Sequence, residues 1–307
     1  SGSKRGLTGA AGGSKSYNSS SKKGGSSQPS GLIIVSERKV AGAPYTIVPF
    51  NGKLLAGINS KVHLFKWTSS DDQSRVLTEE CNHQGHVIAL YLQCRGDFVL
   101  VGDLQKSVSL LAYKPVTGKL EEIARDYDSN WMTAISIIDD ETFLGAENSL
   151  NMFSLRRNSD ASREEDRSRL ERVGEFHWGE YINRFHHGKL VRDLPDQDIQ
   201  VTSSIIFGTV MGTIGVIASI SEESYKFLLA VQTEMNRMLK GNGLLSHDVY
   251  RSFRNDRRES PARNFLDGDL IERFLDLGVE SQTTIAVNVN TTREDLVRKI
   301  EELQRIH

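Results

Sequence analysis

Two absences limit what this chain can be. Cys81 and Cys94 are its only cysteines, too few for a disulfide framework, and this favours a reducing compartment. No apolar run approaches the ~18–20 residues needed to span a membrane, and the N-terminus has no hydrophobic signal core. We therefore expect a soluble intracellular protein that makes no contact with a membrane.

An excess of charge of one sign is also lacking. The net charge is −2, from 38 Lys and Arg against 40 Asp and Glu. This balance excludes nucleic-acid binding driven by the charge of the whole chain, although a local basic patch remains open. The hydrophobic content of 38% over 307 residues is enough for one large domain and a smaller one.

Catalytic and metal-binding motifs are absent as well. The sequence has no P-loop, no G-x-S-x-G and no H-E-x-x-H. Cys81, His83, His86 and Cys94 are residue types that bind zinc, but their spacing matches no standard zinc finger. Paired acids such as Asp139-Asp140 lie in turns or at strand ends without a visible partner. We predict no catalytic residue, no metal site and no cofactor.

What the chain does contain is a repeat. Residues 97–113, DFVLVGDLQKSVSLLAY, read as two apolar strands around a tight corner at 102–106, and three similar phrases occur elsewhere. We expect a glycine in each phrase to supply backbone freedom for the corner. The glycines are spaced 45, 43 and 63 residues apart, and they are Gly57, Gly102, Gly145 and Gly208.

A period of roughly 40–50 residues, with short strands and polar turns between them, is typical of propeller blades. We predict a mainly β fold with about four blades over residues 32–220. Leu32–Val40 is predicted to be an extra outer strand, which favours part of a larger ring over a closed four-bladed one. In residues 1–31, Ser and Gly fill 18 positions. That composition predicts a flexible linker or tail.

From Ser221 the apolar period changes from two to 3.6, which predicts a small helical domain over residues 221–307. Ser221, Ser246, Asp267 and Thr292 are the expected helix caps. Earlier, Ser162-x-x-Glu165 reads as a capping box and predicts a short helix in a surface loop.

Aromatic residues in the lead strands, the first strand of each blade, are core residues by default. The ends of lead strands also reach a face where partners commonly dock, and exposed aromatics make good interface anchors. From the chemistry alone, a protein-interaction scaffold is the leading interpretation. An enzyme that uses the propeller mouth comes second and a nucleic-acid surface third.

Several longer phrases are more specific than this pattern. They are residues 85–115 (GHVIALYLQCRGDFVLVGDLQKSVSLLAYKP), 123–148, 205–219, 264–277 (NFLDGDLIERFLDL) and the terminal EELQRIH. From about residue 32 to residue 307 they resemble the C-terminal part of the large subunits of damage-specific DNA-binding protein, the adaptor family of cullin-4 RING ubiquitin ligases. Weaker relatives occur in polyadenylation and splicing complexes.

This resemblance implies the later blades of a third seven-bladed propeller, followed by a C-terminal helical domain. It implies a non-enzymatic adaptor that docks substrate receptors, often of the WD40 class, and the small subunit of the damaged-DNA-binding complex. Cullin-4 would be reached only through a propeller missing from this chain, and DNA indirectly. The implied setting is ubiquitin conjugation, DNA damage and nucleotide excision repair, in nucleus and cytoplasm. The alternative is a nucleic-acid-binding propeller of an RNA-processing relative.

Carried over by motif, the resemblance also implies a cleft in which a helical segment of the receptor inserts. The family often has Arg where this chain has Lys106, and a common Phe where it has Tyr181; Lys cannot make the planar bidentate contact of Arg. The implied cleft residues are Val87, Ala89, Leu90, Tyr91, Lys106, Arg125, Trp131, Asn148, Tyr181, Asn183 and Val210.

Overall fold

The computed structural model describes residues 33–69, 75–191, 199, 201–239, 243 and 245–306. The predicted tail at residues 1–31 lies outside the described residues. Residues 36–307 form one compact unit. Within the described residues, the strands before residue 221 form three four-stranded sheets and one three-stranded sheet.

Each sheet is an antiparallel meander in chain order, which confirms the predicted blades. The first sheet contains β1 (Pro44–Phe50), β2 (Lys53–Ile58), β3 (Lys61–Ser69) and β4 (Arg75–Gln84). The second contains β5 (Ala89–Arg95), β6 (Phe98–Asp103), β7 (Val108–Lys114) and β8 (Lys119–Arg125). The third contains β9 (Met132–Ile137), β10 (Thr142–Glu147), β11 (Asn151–Arg157) and β12 (Leu170–His177). The fourth contains β13 (Ile182–His187), β14 (Val201–Thr209) and β15 (Ile214–Ile220).

The core lies between neighbouring blades. The lead strands β1, β5, β9 and β13 pack against one another in that order, as the innermost strands of a propeller do. Leu64 and Val99 belong to the cluster between the first two blades, Leu100 and Phe153 to the next, and Leu144 and Phe207 to the last. Because a blade packs on both of its faces, inner strands such as β7 are buried almost throughout.

The repeated glycines have a different role from the one we expected. Gly57, Gly102 and Gly145 do not have positive φ, so the corner does not require their backbone freedom. A Cβ on Gly57 would lie 2.6 Å from the carbonyl oxygen of Ala89, and one on Gly102 would lie 2.8 Å from Ile135 Cγ2. At these two positions the missing side chain lets the lead strand of the next blade approach closely.

The prediction of a strand at Leu32–Val40 is wrong for its described part. Residues 33–40 have no regular secondary structure, and Ile33 and Ile34 are each 85% exposed. Arg38 donates a side-chain hydrogen bond from Nη1 to the carbonyl oxygen of Leu77 on β4, at 2.7 Å. A segment with β-forming residues needs a ladder partner to become a strand, and here a side chain makes the contact instead.

The helices confirm the change of period at Ser221. They are α2 (Glu222–Met238), α3 (His247–Arg251), α4 (Gly268–Glu272) with a 3-10 turn (Arg273–Asp276), α5 (Val279–Asn288) and α6 (Arg293–Gln304). The four predicted caps accept hydrogen bonds from backbone N–H groups as expected. The division into domains at residue 220 stays a prediction.

Three local features differ from expectation. The loop helix α1 (Glu164–Arg167) begins after Arg163 and has no side-chain cap, so the Ser162 capping box is wrong. Helix α5 was not predicted, because its N-cap is Gly278 and it carries no capping signal. A hairpin of β16 (Phe253–Arg254) and β17 (Glu259–Ser260) was also missed. It is held to the third blade by contacts distant in sequence.

Candidate partner-docking site

The corners of the second, third and fourth blades share one geometry. In each, the start of the lead strand pairs with the end of the second strand, as Ala89 does with Asp103 and Ile182 with Thr209. The residue after the second strand then donates its N–H to the carbonyl oxygen beside the lead strand. These bonds are Leu104 to Ile88 at 3.1 Å, Asn148 to Trp131 at 3.0 Å and Val210 to Tyr181 at 2.9 Å.

This geometry places most of the sequence-predicted residues on one face of the blades, while Arg125 lies at the end of β8. Val87, Trp131 and Val210 are 38%, 48% and 63% exposed. The other exposed members are Asn148 and Asn183, and the half-buried ones are Leu90, Tyr91, Lys106, Arg125 and Tyr181.

Ala89 is the exception. It is fully buried, and a Cβ added to Gly57 would lie 3.3 Å from the Cβ of Ala89. Its N–H donates to the carbonyl oxygen of Asn59 in the first blade, at 2.9 Å. Ala89 therefore joins two blades beneath the face, and its side chain is not available to a partner.

Asp103 organises the corner of the second blade. Its carboxylate is 1% exposed and accepts backbone N–H bonds from both loops that meet there. Because a buried carboxylate needs several donors, this arrangement fixes the backbone around Val87 and Lys106. The four donors are Val87 at 2.8 Å, Ile88 at 3.2 Å, Gln105 at 2.7 Å and Lys106 at 2.8 Å.

His86 lies against this carboxylate, with Nδ1 3.8 Å from Asp103 Oδ2. Burial lowers the pKa of His86 to about 4, although Asp103 acts in the opposite direction. The imidazole is therefore neutral near pH 7. The Lys106 ammonium donates to the carbonyl oxygen of Gly85 at 2.5 Å, so this cation is already engaged by its own chain.

Hydrogen bonds fix the backbone around Trp131. The carbonyl oxygen of Asn130, just before it, accepts a hydrogen bond from the N–H of Ser107 at 3.2 Å. The carbonyl oxygen of Trp131 accepts one from the N–H of Asn148 at 3.0 Å. Ser107 Oγ also donates to Asp126 Oδ2 at 2.7 Å. An exposed indole on a fixed backbone is a good interface anchor, because little backbone entropy is lost on binding.

A buried polar network lies beneath this tryptophan. Arg172 Nη2 donates to Asp126 Oδ2 at 3.0 Å, and the Arg172 side chain is 7% exposed. The Asn130 amide is oriented so that both its nitrogen and its oxygen have a hydrogen-bond partner. In this orientation the nitrogen donates to Glu147 Oε2 at 2.9 Å, and the oxygen accepts from Arg172. Burial raises the pKa of Glu147, while Asn151 and Arg172 oppose that shift. The network lies just under the predicted docking face.

Tyr91 lies in the lead strand β5, and Tyr181 directly precedes the lead strand β13. Burial raises the pKa of Tyr91, the Tyr181 hydroxyl adds to the shift, and Arg184 opposes it. Tyr181 and Arg184 therefore act electrostatically on Tyr91, although they come from a blade two away. Sequence reasoning missed Arg184; its one signal was a cation in a lead strand beside Asn183.

Two exposed apolar residues were also missed. Met211, 78% exposed, follows Val210 in the turn between β14 and β15, and Ile214, 70% exposed, is the first residue of β15. The sequence signal was an apolar residue in a turn that should be polar. Tyr127, 63% exposed, adds an aromatic beside Arg125, whose guanidinium carbon lies 5.3 Å from the ring centroid.

The zinc-ligand types at Cys81, His83, His86 and Cys94 do not form a metal site. Among the residues that the structure describes, no group of three or more His, Cys, Asp or Glu could hold a metal ion. Burial raises the pKa of Cys94 to about 12, which keeps the thiol protonated.

No helix in the described ranges is long and apolar enough to cross a membrane.

The sheets and their corners define a class: a β-propeller protein with C-terminal helices and with aromatic and apolar residues exposed at its blade corners. More particularly, residues 17–276 match the model of the CPSF A subunit region, and the chain belongs to that family.

The chain is also a homologue of plant proteins named DNA damage-binding protein 1. It is 51% identical over 276 residues to DNA damage-binding protein 1a of Arabidopsis thaliana, covering 90% of this chain and 25% of the relative. The identity is 51% over 277 residues to the protein of Solanum lycopersicum and 50% over 276 residues to that of Oryza sativa subsp. japonica. The chain spans about a quarter of the length of these relatives, because the aligned region covers 25% of each.

Proposed function

We propose that this chain is the receptor-docking part of a non-enzymatic adaptor of a cullin-4 RING ubiquitin ligase. The observation that carries the proposal is Trp131, 48% exposed on a backbone fixed on both sides. Apolar side chains at the neighbouring corners, Val87 and Val210, give a helical segment of a receptor further surface to pack against. The cleft residues carried over by motif are part of this proposal.

The wider assignment rests on the homology to DNA damage-binding protein 1. Its partners would be substrate receptors of the WD40 class and the small subunit of the damaged-DNA-binding complex. Cullin-4 would bind through a propeller that this chain does not contain, and DNA would be reached through these partners. The protein would act in ubiquitin conjugation at DNA lesions and in nucleotide excision repair, in the nucleus and the cytoplasm.

A pull-down with a helical receptor peptide tests the docking face. The double variant Trp131→Ala with Tyr181→Ala should lose most of the capture. Trp67→Ala is the matched control, because Trp67 is 45% exposed but lies on the outer part of the first blade, in β3. If the double variant captures as much receptor peptide as the wild type does, the proposed docking face is wrong.

The second candidate is a nucleic-acid-binding propeller of an RNA-processing relative, favoured by the family name CPSF A subunit region. The charges at the face argue against it. Lys106 is engaged by Gly85, and Arg125 lies 3.7 Å from Glu122, so of these three cations the exposed Arg184 is left, which gives little cationic surface for phosphates. Tight binding of a damaged duplex by this chain, with an affinity that falls steeply with salt, would favour this candidate instead.

A further inference from the structure

The hairpin of β16 and β17 carries a sequence feature that the docking function does not use. The chain has six prolines, and only Pro261 follows a serine or threonine. The run Ser260-Pro261-Ala262-Arg263 places proline directly after the serine and a cation two residues further on. Serine followed by proline, with a basic residue at this distance, is the substrate pattern of proline-directed protein kinases.

The residues that a kinase must read are accessible. Pro261 and Arg263 are exposed, and so are Arg257 and Glu259. The hairpin has only two paired positions, Phe253 with Ser260 and Arg254 with Glu259. Because a ladder this short is weak by itself, the strand that carries Ser260 can leave it while Phe253 stays buried, and it can then adopt the extended form that a kinase binds.

The Ser260 hydroxyl itself sits in a charged cluster. It donates to Glu175 Oε2 at 2.8 Å, and Arg258 Nη1 lies 3.2 Å from Ser260 Oγ. Arg258 Nη2 also bonds Glu175, and Arg263 Nε lies 3.4 Å from Glu175 Oε2. Glu175 is 1% exposed, so its carboxylate depends on these donors.

We propose that Ser260 is a phosphorylation site for a proline-directed kinase that uses ATP. The hydroxyl oxygen attacks the γ-phosphorus, an Oγ–P bond forms, and the bond from the γ-phosphorus to the β,γ-bridging oxygen breaks. The hydroxyl proton passes to the base of the kinase, and ADP leaves.

Phosphorylation changes the cluster in two ways. Ser260 loses the hydrogen that it donates to Glu175, and a group with a charge of about −2 at neutral pH takes its place. The phosphate and the buried carboxylate then compete for Arg258 and Arg263. Because the two anions repel each other, the hairpin should separate from β12, to which it is also joined by reciprocal backbone bonds between Glu175 and Arg263, 2.9 Å each.

The hairpin is also linked to the corner of the third blade. The Asn151 side chain donates to the carbonyl oxygen of Arg254 at 2.8 Å and to Glu147 at 2.6 Å, and Glu147 precedes Asn148. Release of the hairpin would therefore loosen the base of Trp131 and weaken receptor binding. This last consequence rests on the proposed function, whereas the modification and the release do not.

The test treats the whole chain with a cyclin-dependent kinase and ATP and maps the phosphate by mass spectrometry. We expect one phosphate, on Ser260, and a loss of about tenfold or more in rate for Pro261→Ala, which keeps the serine. A synthetic peptide of residues 254–266 measures the rate without the fold. Phosphate on another residue, an equal rate for Pro261→Ala, or a peptide that reacts while the folded chain does not would each overturn the site.

Hydrogen exchange tests the release without any receptor. The phosphorylated chain and Ser260→Asp should exchange the amides of residues 253–263 about tenfold faster than wild type. Ser260→Ala, which removes the hydroxyl without adding charge, should change the exchange much less. Equal exchange in Ser260→Asp and Ser260→Ala would overturn the release. Unchanged receptor binding with faster exchange would reject only the link to docking.

Discussion

Trp131 and Val210 stand at equivalent corners of neighbouring blades, but what lies behind them differs. Behind Trp131, Asn130 and Ser107 tie the backbone to a buried network that reaches Arg172. Behind Val210, a Cβ on Gly208 would meet only Asn183 Oδ1 at 3.9 Å, and one on Gly212 would meet nothing within 4 Å. The same backbone corner can thus carry an aromatic anchor above a buried polar network or an apolar turn with open space around it. We infer that the docking face combines both.

The largest effect is expected from the buried carboxylate that fixes the second-blade corner. Asp103→Ala removes the acceptor of four backbone N–H groups. The free energy of unfolding should fall by about 2–4 kcal/mol, because buried donors without partners are costly. Urea unfolding measures it. Glu180→Ala at the Val210 corner is the control, because its carboxylate accepts the Thr209 hydroxyl from a half-buried position, and it should cost much less.

Gly57 and Gly208 are a matched pair for comparing a tightly packed corner with an open one. Gly57→Ala places a methyl group 2.6 Å from the backbone oxygen of Ala89, which cannot move without separating two blades. It should cost about 1–3 kcal/mol of unfolding free energy, whereas Gly208→Ala, with open space around it, should change stability by less than about 0.5 kcal/mol. Equal thermal midpoints for the two variants would disprove the packing role assigned to Gly57.

A smaller effect is expected from pH. The folded state holds the pKa of His86 at about 4, below its usual value of 6.5. Below pH 6.5 the unfolded chain therefore binds a proton that the folded chain does not. Stability due to this group is lost as pH falls from about 6.5 toward 4, by roughly 1 kcal/mol at about pH 5.5.

Urea unfolding at about pH 7 and about pH 5.5 checks this prediction, by the linkage between protonation and stability. His86→Gln should weaken the pH dependence, and His186→Gln, at an exposed histidine, should leave it as in wild type. The assignment to His86 is wrong if both variants retain the full pH dependence.

The blades could be predicted because their signals are local. Strand β6 and the turn after Asp103 can be read within residues 97–113, and the four helix caps within one turn each. Helix α5 could not be predicted in this way, because it starts at Gly278 and is stabilised by burial of Ile285 and Ala286. The hairpin of β16 and β17 depends on Phe253, which is fully buried in the core of distant strands.

The positions of the proposed docking residues were predictable only in part. Motif resemblance located Trp131 and Val210, and the structure places both at exposed corners. It also included Ala89, whose burial depends on Gly57 in another blade. Arg184 was missed because its electrostatic effect on Tyr91 depends on the order of the lead strands in the fold and leaves no trace in local sequence.

The most direct test of the docking face is the affinity of a helical receptor peptide, measured by calorimetric titration. Trp131→Ala should raise Kd by about 30-fold, equivalent to about 2 kcal/mol, because a fixed aromatic anchor is lost. Val210→Ala should raise it by less than about fivefold, since the exposed side chains of Met211 and Ile214 remain beside it. A Kd for Trp131→Ala that equals the wild-type value would contradict the account.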